Sequence, residues 1–203
     1  MTPALILASG SPRRRALLAA LGVEFEVRTS TAEEPNCGAT PTAMVEENAR
    51  IKCMDVAAGV DGDTVVIGAD TLVFYGDAVL TKPKDKADAF RMLRMLSGNT
   101  HAVVTGLAVL HTGTGKTILG SESTAVTFRE LCDAEIQRFI EVVNPLDRAG
   151  AYTIDGPGTL LVSGYAGCYQ NVLGFPMVRL DEMLRQHGVQ LFNELHAERA
   201  QFL

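Results

Sequence analysis

The chain has 203 residues, 47% of them hydrophobic and 21% charged, with a formal net charge of −6. This is an ordinary globular composition, and its acidic balance argues against a stable nucleic-acid binder, which usually carries a basic excess. No apolar run approaches the ~20 residues that cross a bilayer, and the first residues lack the basic and apolar regions of a signal peptide. We therefore expect a cytoplasmic protein with no membrane partner.

The chain opens on a short apolar run, a tight polar turn and the beginning of a helix. Ala4–Ala8 has the length of a buried strand, and residues 9–11 form a turn cluster. Ser11 followed by Pro12 is typical of a helix N-cap and first helical position. Arginines at 13–15 are disfavoured near the positive end of a helix unless an anion neutralises them. The segment predicts a phosphate site, although a solvated basic turn fits the same residues.

Strand and helix patterns alternate along the rest of the chain, which predicts an α/β fold. The expected strands cover 25–29, 64–70 with an extended continuation to 75, 101–111 and 116–129, the last two joined by a hairpin turn at 112–115. The expected helices cover 41–58, a segment after the cap Asp85, a segment capped by Asp133 that ends at 143, and 177–187. We expect one domain over 1–203, with the residues from about 190 onward peripheral to it.

Carboxylates at two places are candidates for chemistry. Asp70 ends the predicted strand over 64–70, where ligand-facing residues gather in open α/β sheets. It can bind a divalent ion, activate a water or simply cap a turn. Glu33 and Glu34 lie in a polar loop and can complete an oxygen site for a hard cation with Asp70, although an exposed pair of this kind is often only solvated.

Two lysines are candidates for phosphate contacts. Lys52 lies in the predicted helix over 41–58, and Lys82 precedes Pro83 in a loop. Each lysine alone is more typical of a solvated surface. Together with a metal ion and arginines around a polyphosphate, however, they match the recurring arrangement of enzymes that act at phosphorus. In such enzymes, positioning and charge stabilisation supply most of the catalysis.

The ordered set of these motifs resembles the Maf family of nucleoside triphosphate pyrophosphatases over nearly the whole chain. From the N-terminus, the matching segments are Ala-Ser-Gly-Ser-Pro-Arg-Arg at 8–14, Glu33-Glu34, Ala-Arg-Ile-Lys at 49–52, Gly-Ala-Asp-Thr at 68–71, Lys82-Pro83, Leu-Ser-Gly at 96–98, Thr105-Gly106, Ala-Gly-Ala-Tyr at 149–152 and Asn-Val-Leu-Gly-Phe-Pro at 171–176. Any one of these matches is weak, whereas their order makes the resemblance specific.

The resemblance implies a hydrolase that converts a nucleoside triphosphate to the monophosphate and pyrophosphate. Such enzymes clear unwanted nucleotides from the cellular pool, and the family was first linked to septum formation. The implied fold is α/β, with an elongated mixed β-sheet, flanking helices and two lobes around a cleft, similar to inosine-triphosphate pyrophosphatases. The implied cofactor is a divalent cation, magnesium or manganese with cobalt as a further candidate, and a homodimer is compatible with the family.

The resemblance also assigns roles to residues of this chain. Asp70 is the expected catalytic residue, which orients or deprotonates the attacking water, and it is also an expected metal ligand. Glu34 is the expected second metal ligand, with Glu33 as a further candidate. The residues expected to bind the substrate are Ser9, Arg13, Arg14, Lys52, Thr71, Lys82 and Asp155. Arg14 has an alternative role in supporting the loop.

Four positions bear on the nucleobase. The Arg13-Arg14 pair and Thr71 resemble the family branch that prefers dTTP and UTP, whereas 7-methyl-GTP is the substrate of another branch. Asp155 stands where the pyrimidine branch usually has Gln, and a carboxylate only accepts hydrogen bonds whereas Gln also donates them. We expect dTTP or UTP, or a modified pyrimidine nucleotide, with 7-methyl-GTP or another modified purine as the alternative. Asp155 can equally be a turn residue.

Two other classes of protein share parts of this pattern. A nucleotidyltransferase also opens on an apolar strand, a Gly-containing turn and Arg, but its Gly-Gly-x-Gly-Thr-Arg turn is absent from residues 5–13. A non-catalytic, nucleotide-binding regulator of division would not need the charged set formed by Asp70, Glu34, Lys52 and Lys82. Both alternatives are more distant than the pyrophosphatase.

Overall fold

A computed structural model describes residues 3–35 and 38–200. Within these residues, seven strands form one mixed sheet in the order β2-β1-β3-β5-β6-β7, with β4 paired to β3. The strands are β1 (Ala4–Ala8), β2 (Glu26–Val27), β3 (Thr64–Tyr75), β4 (Ala78–Leu80), β5 (Thr100–His111), β6 (Lys116–Phe128) and β7 (Val162–Ala166). The helices are α1 (Pro12–Ala19), α2 (Pro41–Ala57), α3 (Lys86–Leu96), α4 (Asp133–Val143), α5 (Tyr169–Val172) and α6 (Met177–Arg185). The predicted mixed α/β fold is confirmed.

The sheet combines parallel and antiparallel pairs. β1 pairs in parallel with both β2 and β3, whereas β3 pairs antiparallel with β4 and β6 pairs antiparallel with β7. In the β1–β3 register, Ala8 lies opposite Gly68. The first strand therefore ends two residues before the level of Asp70, and this placement leaves room for the site described below.

The chain divides into two compact units that interleave along the sequence. The first contains the described residues within Met1–Asp70, Thr105–Glu122 and Gly174–Leu203, and the second contains Thr71–Val104 and Ser123–Leu173. Whether they act as the single domain expected over 1–203 stays a prediction. No helix within residues 3–35 and 38–200 is long and apolar enough to cross a membrane.

The first unit buries both faces of its strands, which explains their nearly continuous apolar sequences. Alternate residues such as Leu7, Ile67 and Leu107 pack with α6 residues, including Leu180, on one face. Residues such as Val66 pack with α2 on the other face.

Two glycines allow α2 to approach that second face closely. A Cβ on Gly68 would lie 2.3 Å from the carbonyl oxygen of Ala49, and one on Gly106 would lie 2.3 Å from the backbone of Val45. Both distances are far below van der Waals contact. Helix α2 is therefore seated directly on β3 and β5, and this contact places its side chains beside Asp70.

The second unit has its own core, in which α3 and α4 contribute Leu93, Leu96 and Ile136. An aromatic cluster lies in this core. His101 contacts Phe128 and Tyr152 edge to face, and its Nε2 lies 2.7 Å from the Tyr152 hydroxyl. Burial lowers the pKa of His101 to about 4, so its ring is neutral at pH 7.

Most expected elements are confirmed, with three corrections. The strand expected over 25–29 covers only Glu26–Val27. The expected cap Asp133 is the first residue of α4, and Cys132 occupies the cap position, where its backbone N–H bonds the Glu135 carboxylate. The third correction concerns Asp70. It lies inside the continuous strand β3 and not at its end, because Thr71–Tyr75 is rich in residues that favour extended structure.

Candidate active site

The opening turn forms as predicted, with Ser11 as the cap of α1. The Ser11 hydroxyl accepts a hydrogen bond from the backbone N–H of Arg14 at 3.5 Å. Ser9 lies buried inside the same turn. Its Oγ accepts from the backbone N–H of Ser11 at 3.3 Å and from Nη1 of Arg14 at 3.1 Å. The N-terminus of α1, with Arg13 in its first turn, is an arrangement that favours a bound anion.

Arg14 is buried and joins three parts of the first unit. Its Nε donates to the carbonyl oxygen of Gly174 at 2.8 Å, and its Nη1 donates to that of Ala69 at 3.0 Å as well as to Ser9. Burial lowers the pKa of Arg14, and the positive charge of Arg13 adds to this effect, although a guanidinium stays charged in proteins. These contacts favour the supporting role for Arg14 over direct contact with substrate.

Asp70 is the buried carboxylate of the site, and α2 supplies both of its neighbours. Lys52 Nζ lies 2.8 Å from Oδ1, and Asn48 Nδ2 donates to Oδ2 at 2.8 Å. Asn48 and Lys52 are one helical turn apart, so both side chains reach the same strand. The sequence interpretation missed Asn48, for which this spacing from Lys52 was the available signal.

The same lysine connects Asp70 to the loop before α2. Lys52 Nζ lies 2.9 Å from Oε1 of Glu34, so one ammonium group bridges two carboxylates. Asp55, further along α2, holds this loop through the Ser30 hydroxyl at 2.8 Å and the Thr31 backbone N–H at 2.9 Å. The structure thus brings together Asp70, Lys52 and Glu34, three of the residues singled out from the sequence, and their roles stay predictions.

The charges around Asp70 decide its ionisation. Burial alone would raise the pKa of the carboxyl group. The ammonium of Lys52, its hydrogen bond, the Asn48 amide and the more distant Arg14 charge together outweigh burial and lower the pKa below the ordinary value. Asp70 is therefore an ionised carboxylate at neutral pH, in the state that a general base or a cation ligand requires.

The oxygen atoms of Asp70 and Glu34 suit a hard divalent cation. Magnesium in phosphate-processing enzymes takes one or two carboxylates and completes its shell with water and substrate phosphates. Within residues 3–35 and 38–200, no three His, Cys, Asp or Glu side chains are grouped so as to hold a metal ion, and Glu33 is exposed. Asp70 and Glu34 supply two carboxylates of the kind that magnesium takes, with the Lys52 ammonium between them, and a cation here stays a prediction.

The remaining expected substrate residues are found in the second unit. Thr71 is half-buried in β3, and Lys82 is exposed between β4 and α3. Asp155 is exposed before a short 3-10 helix, Gly156–Leu160, and its carboxylate accepts a hydrogen bond from the Thr153 hydroxyl. Their roles in binding substrate stay predictions.

The family assignment follows from comparison with known sequences. A family model described as Maf-like protein matches residues 4–187. The chain belongs to this family. The match of this Maf-like protein extends over both of its compact units, and it confirms the resemblance inferred from the ordered motifs.

Two relatives are similar to this Maf-like protein over almost their full lengths. A dTTP/UTP pyrophosphatase of Alkaliphilus oremlandii is 48% identical over 90% of this chain and 95% of its own. A dTTP/UTP pyrophosphatase of Moorella thermoacetica is 46% identical over 94% of this chain and 98% of its own. Among solved structures, the nucleoside-triphosphatase / dITP/XTP pyrophosphatase of Mycobacterium abscessus is 19% identical, with a TM-score of 0.42 over 61% of this chain and 73% of that one.

Proposed function

We propose that this Maf-like protein is a nucleoside triphosphate pyrophosphatase that hydrolyses dTTP and UTP to the monophosphate and pyrophosphate. The observation that carries the proposal is the buried, ionised Asp70 carboxylate between Lys52 and Asn48. The substrate class is supported by two relatives, 48% and 46% identical, that are named dTTP/UTP pyrophosphatase. Clearing nucleotides from the pool is the corresponding cellular role.

Asp70 is the group that prepares water for attack. Its carboxylate accepts a proton from the water as the oxygen approaches the α-phosphorus, and the bond from that phosphorus to the bridging oxygen breaks. Pyrophosphate leaves, and the nucleoside monophosphate remains. General-base help of this kind is typically worth about 10²–10⁴-fold, so Asp70 is the residue on which turnover should depend most strongly.

Positive groups near Asp70 have two tasks. Lys52 keeps Asp70 ionised in the free enzyme, and its ammonium can also neutralise a phosphate oxygen when substrate is bound. At the beginning of α1, the Ser9 turn and Arg13 are suited to the phosphates because backbone N–H groups and the helix dipole favour negative charge. Thr71, Lys82 and Asp155 are proposed as further substrate contacts.

The proposed cofactor is magnesium or manganese, with cobalt as a further candidate, because the available ligands are carboxylate oxygens. Asp70 and Glu34 would hold the cation, with Glu33 as a further candidate ligand. When bound, such a cation supplies charge neutralisation at the phosphates. We also propose a cytoplasmic location, and a homodimer stays a prediction of the family resemblance.

Pyrophosphate release by the purified protein tests this proposal. With magnesium or manganese present, dTTP, UTP, CTP, GTP, 7-methyl-GTP and ITP are compared, and the Asp70→Asn variant is assayed alongside. We expect release from dTTP and UTP, with turnover reduced about 10²-fold or more in the folded variant. Release only from a modified purine would keep the chemistry and overturn the pyrimidine assignment. Wild-type turnover in folded Asp70→Asn would overturn the role of Asp70.

A further inference from the structure

Asn48 is the least accessible member of the Asp70 cluster. It is fully buried, with 0% of its surface exposed, and its Nδ2 donates to Asp70 Oδ2 at 2.8 Å. The other oxygen, Oδ1, faces Lys52, whose ammonium also contacts the more exposed Glu34. The two oxygens of one carboxylate therefore meet different surroundings, buried on the Asn48 side and more accessible on the Lys52 side.

We infer that Asn48 is a positioning residue, whose amide fixes the Asp70 carboxylate so that Oδ1 is the oxygen that acts on the attacking water. This inference rests on the proposed pyrophosphatase function. Asn48 touches neither substrate nor the reacting atoms in this role. It acts through Asp70, by holding Oδ2 and thereby setting the rotation of the whole group.

Rotation of an Asp carboxyl group about its last side-chain bond has only a weak intrinsic preference. An anchor must therefore come from its surroundings. Lys52 is a weak anchor by itself, because its four-carbon stem is flexible and its ammonium has no fixed hydrogen-bond direction. Asn48 has a short side chain held in a packed interior, and its planar amide gives one donor a defined direction toward Oδ2.

The backbone that carries Asn48 is also fixed relative to Asp70. The close contacts of α2 at Gly68 and Gly106 seat the helix on the same strands, one of which contains Asp70. The carbonyl group that contacts Gly68 belongs to Ala49, the residue next to Asn48. A site built on packed helices and strands holds its geometry better than one built on loops, and misplacement by about 1 Å can cost about 10²-fold in rate.

The Asn48→Leu variant tests the inference, since leucine has a similar size but no amide. We expect kcat for dTTP to fall about tenfold to hundredfold, the range typical of lost supporting hydrogen bonds, while KM changes less than about threefold. Binding of the non-hydrolysable analogue α,β-methylene-dTTP, measured by calorimetry, should likewise change little. A loss confined to kcat, with full calorimetric stoichiometry for the analogue, is the signature of a misoriented base, because a partly unfolded sample would lose binding sites together with kcat.

Cys53→Ala is the matched control. Cys53 is equally buried on α2 and packs against the same strand through a contact with the Val66 carbonyl oxygen, but it has no part in the proposed chemistry. We expect Cys53→Ala to lower the melting temperature while kcat stays within about twofold of wild type, since the loss of a buried group costs stability first. An equal fall of kcat in both variants would overturn the inference.

The remaining outcomes are also decisive. Should Asn48→Leu fail to fold, Asn48→Ser replaces it, because its shorter side chain creates no clash and its hydroxyl is too short to take the place of the amide. Wild-type kcat in either folded variant overturns the positioning role while leaving the pyrophosphatase intact. Failure of both variants to fold makes Asn48 a structural residue instead. A wild-type protein that releases no pyrophosphate overturns the proposed function together with this inference.

Discussion

Arg14 shows how one side chain of the predicted substrate set can serve the fold. Its guanidinium reaches the carbonyl oxygens of Gly174 and Ala69 and the hydroxyl of Ser9. Ala69 directly precedes the proposed catalytic residue. The Arg14 charge in the first turn of α1, unfavourable for the helix alone, therefore has a local structural explanation that requires no bound anion.

We expect Arg14→Lys to lower the free energy of unfolding by about 2 kcal/mol or more, because a lysine cannot reproduce the fork of donors and leaves buried carbonyl oxygens without a partner. Urea denaturation measures this change. Arg15→Lys, at an exposed position in the same helix, is the control and should stay within about 0.5 kcal/mol of wild type. Equal, small effects in both variants, with a raised KM in Arg14→Lys, would return Arg14 to the substrate-binding set.

The sequence predicts which charged residues lie close together, but it does not predict which hydrogen bonds and ion pairs they form. Asp70, Lys52 and Glu34 are foreseeable as a set, since their residue types suit phosphate chemistry. The Asn48 amide carries no charge, and although its spacing from Lys52 indicates a shared helix face, its contact with Asp70 depends on how the helix is placed on the sheet. The buried position of Arg14 likewise depends on Gly174, which is 160 residues away in the chain.

Among the secondary-structure elements, α2 organises the Asp70 cluster within the first unit. Successive turns of this helix present Asn48 and Lys52 to the strand and Asp55 to the preceding loop. The sequence predicts the helix itself, because Thr40 and Pro41 give a strong start signal, and its cap is confirmed. The sequence does not predict that this helix packs closely against Gly68 and Gly106, because such a prediction requires knowing which strands the helix crosses.

The aromatic cluster across β5 and β6 gives a pH dependence of stability. Burial lowers the pKa of His101 to about 4 from an ordinary value of 6.5. As the pH falls below 6.5, the unfolded chain takes up a proton at this residue and the folded chain does not, so the free energy of unfolding decreases until the pH reaches about 4. The full difference corresponds to about 3 kcal/mol.

His101→Phe removes this titration while keeping an aromatic ring beside Phe128 and Tyr152. We expect the variant to lose about 3 kcal/mol less stability than wild type between pH 7 and pH 4, whatever its stability at pH 7. Urea denaturation at a series of pH values measures the two slopes. His187, whose pKa is also lowered by burial, contributes equally to both proteins and cancels in the comparison. The same pH dependence of the free energy of unfolding in both proteins would contradict the lowered pKa of His101.

For the whole molecule, the candidate residues named from the sequence fall into two compact units. Asp70, Lys52, Asn48 and Glu34 lie in the first unit, whereas Thr71, Lys82 and Asp155 lie in the second. The order of motifs along the chain predicts the family, which the match over residues 4–187 confirms. That order does not predict the division, because each unit is assembled from distant segments and the strands β3 and β5 contribute to both.

We predict that base preference and chemistry can be changed separately, by substituting Asp155 and Asp70 respectively. Asp155 accepts a hydrogen bond from the Thr153 hydroxyl. Burial is the main cause that raises the pKa of Tyr169, and the nearby Asp155 charge is the second. The Asp155 side chain, a hydrogen-bond acceptor for Thr153, therefore lies near Tyr169. Uracil and thymine present a donor at N3, whereas cytosine presents an acceptor there, so an acceptor at this position favours UTP and dTTP over CTP.

Asp155→Ala should relax this preference, because alanine offers no acceptor to N3, whereas the Gln usual in the branch that prefers dTTP and UTP still accepts. We expect the ratio of kcat/KM for UTP to that for CTP to fall about fivefold or more, the value of about one hydrogen bond. Asp70→Asn should instead lower kcat for both nucleotides in equal proportion, since the attacked α-phosphate is the same in each. Steady-state kinetics of both variants with both substrates decides the matter. An unchanged ratio in Asp155→Ala would make Asp155 a turn residue and place base selection elsewhere.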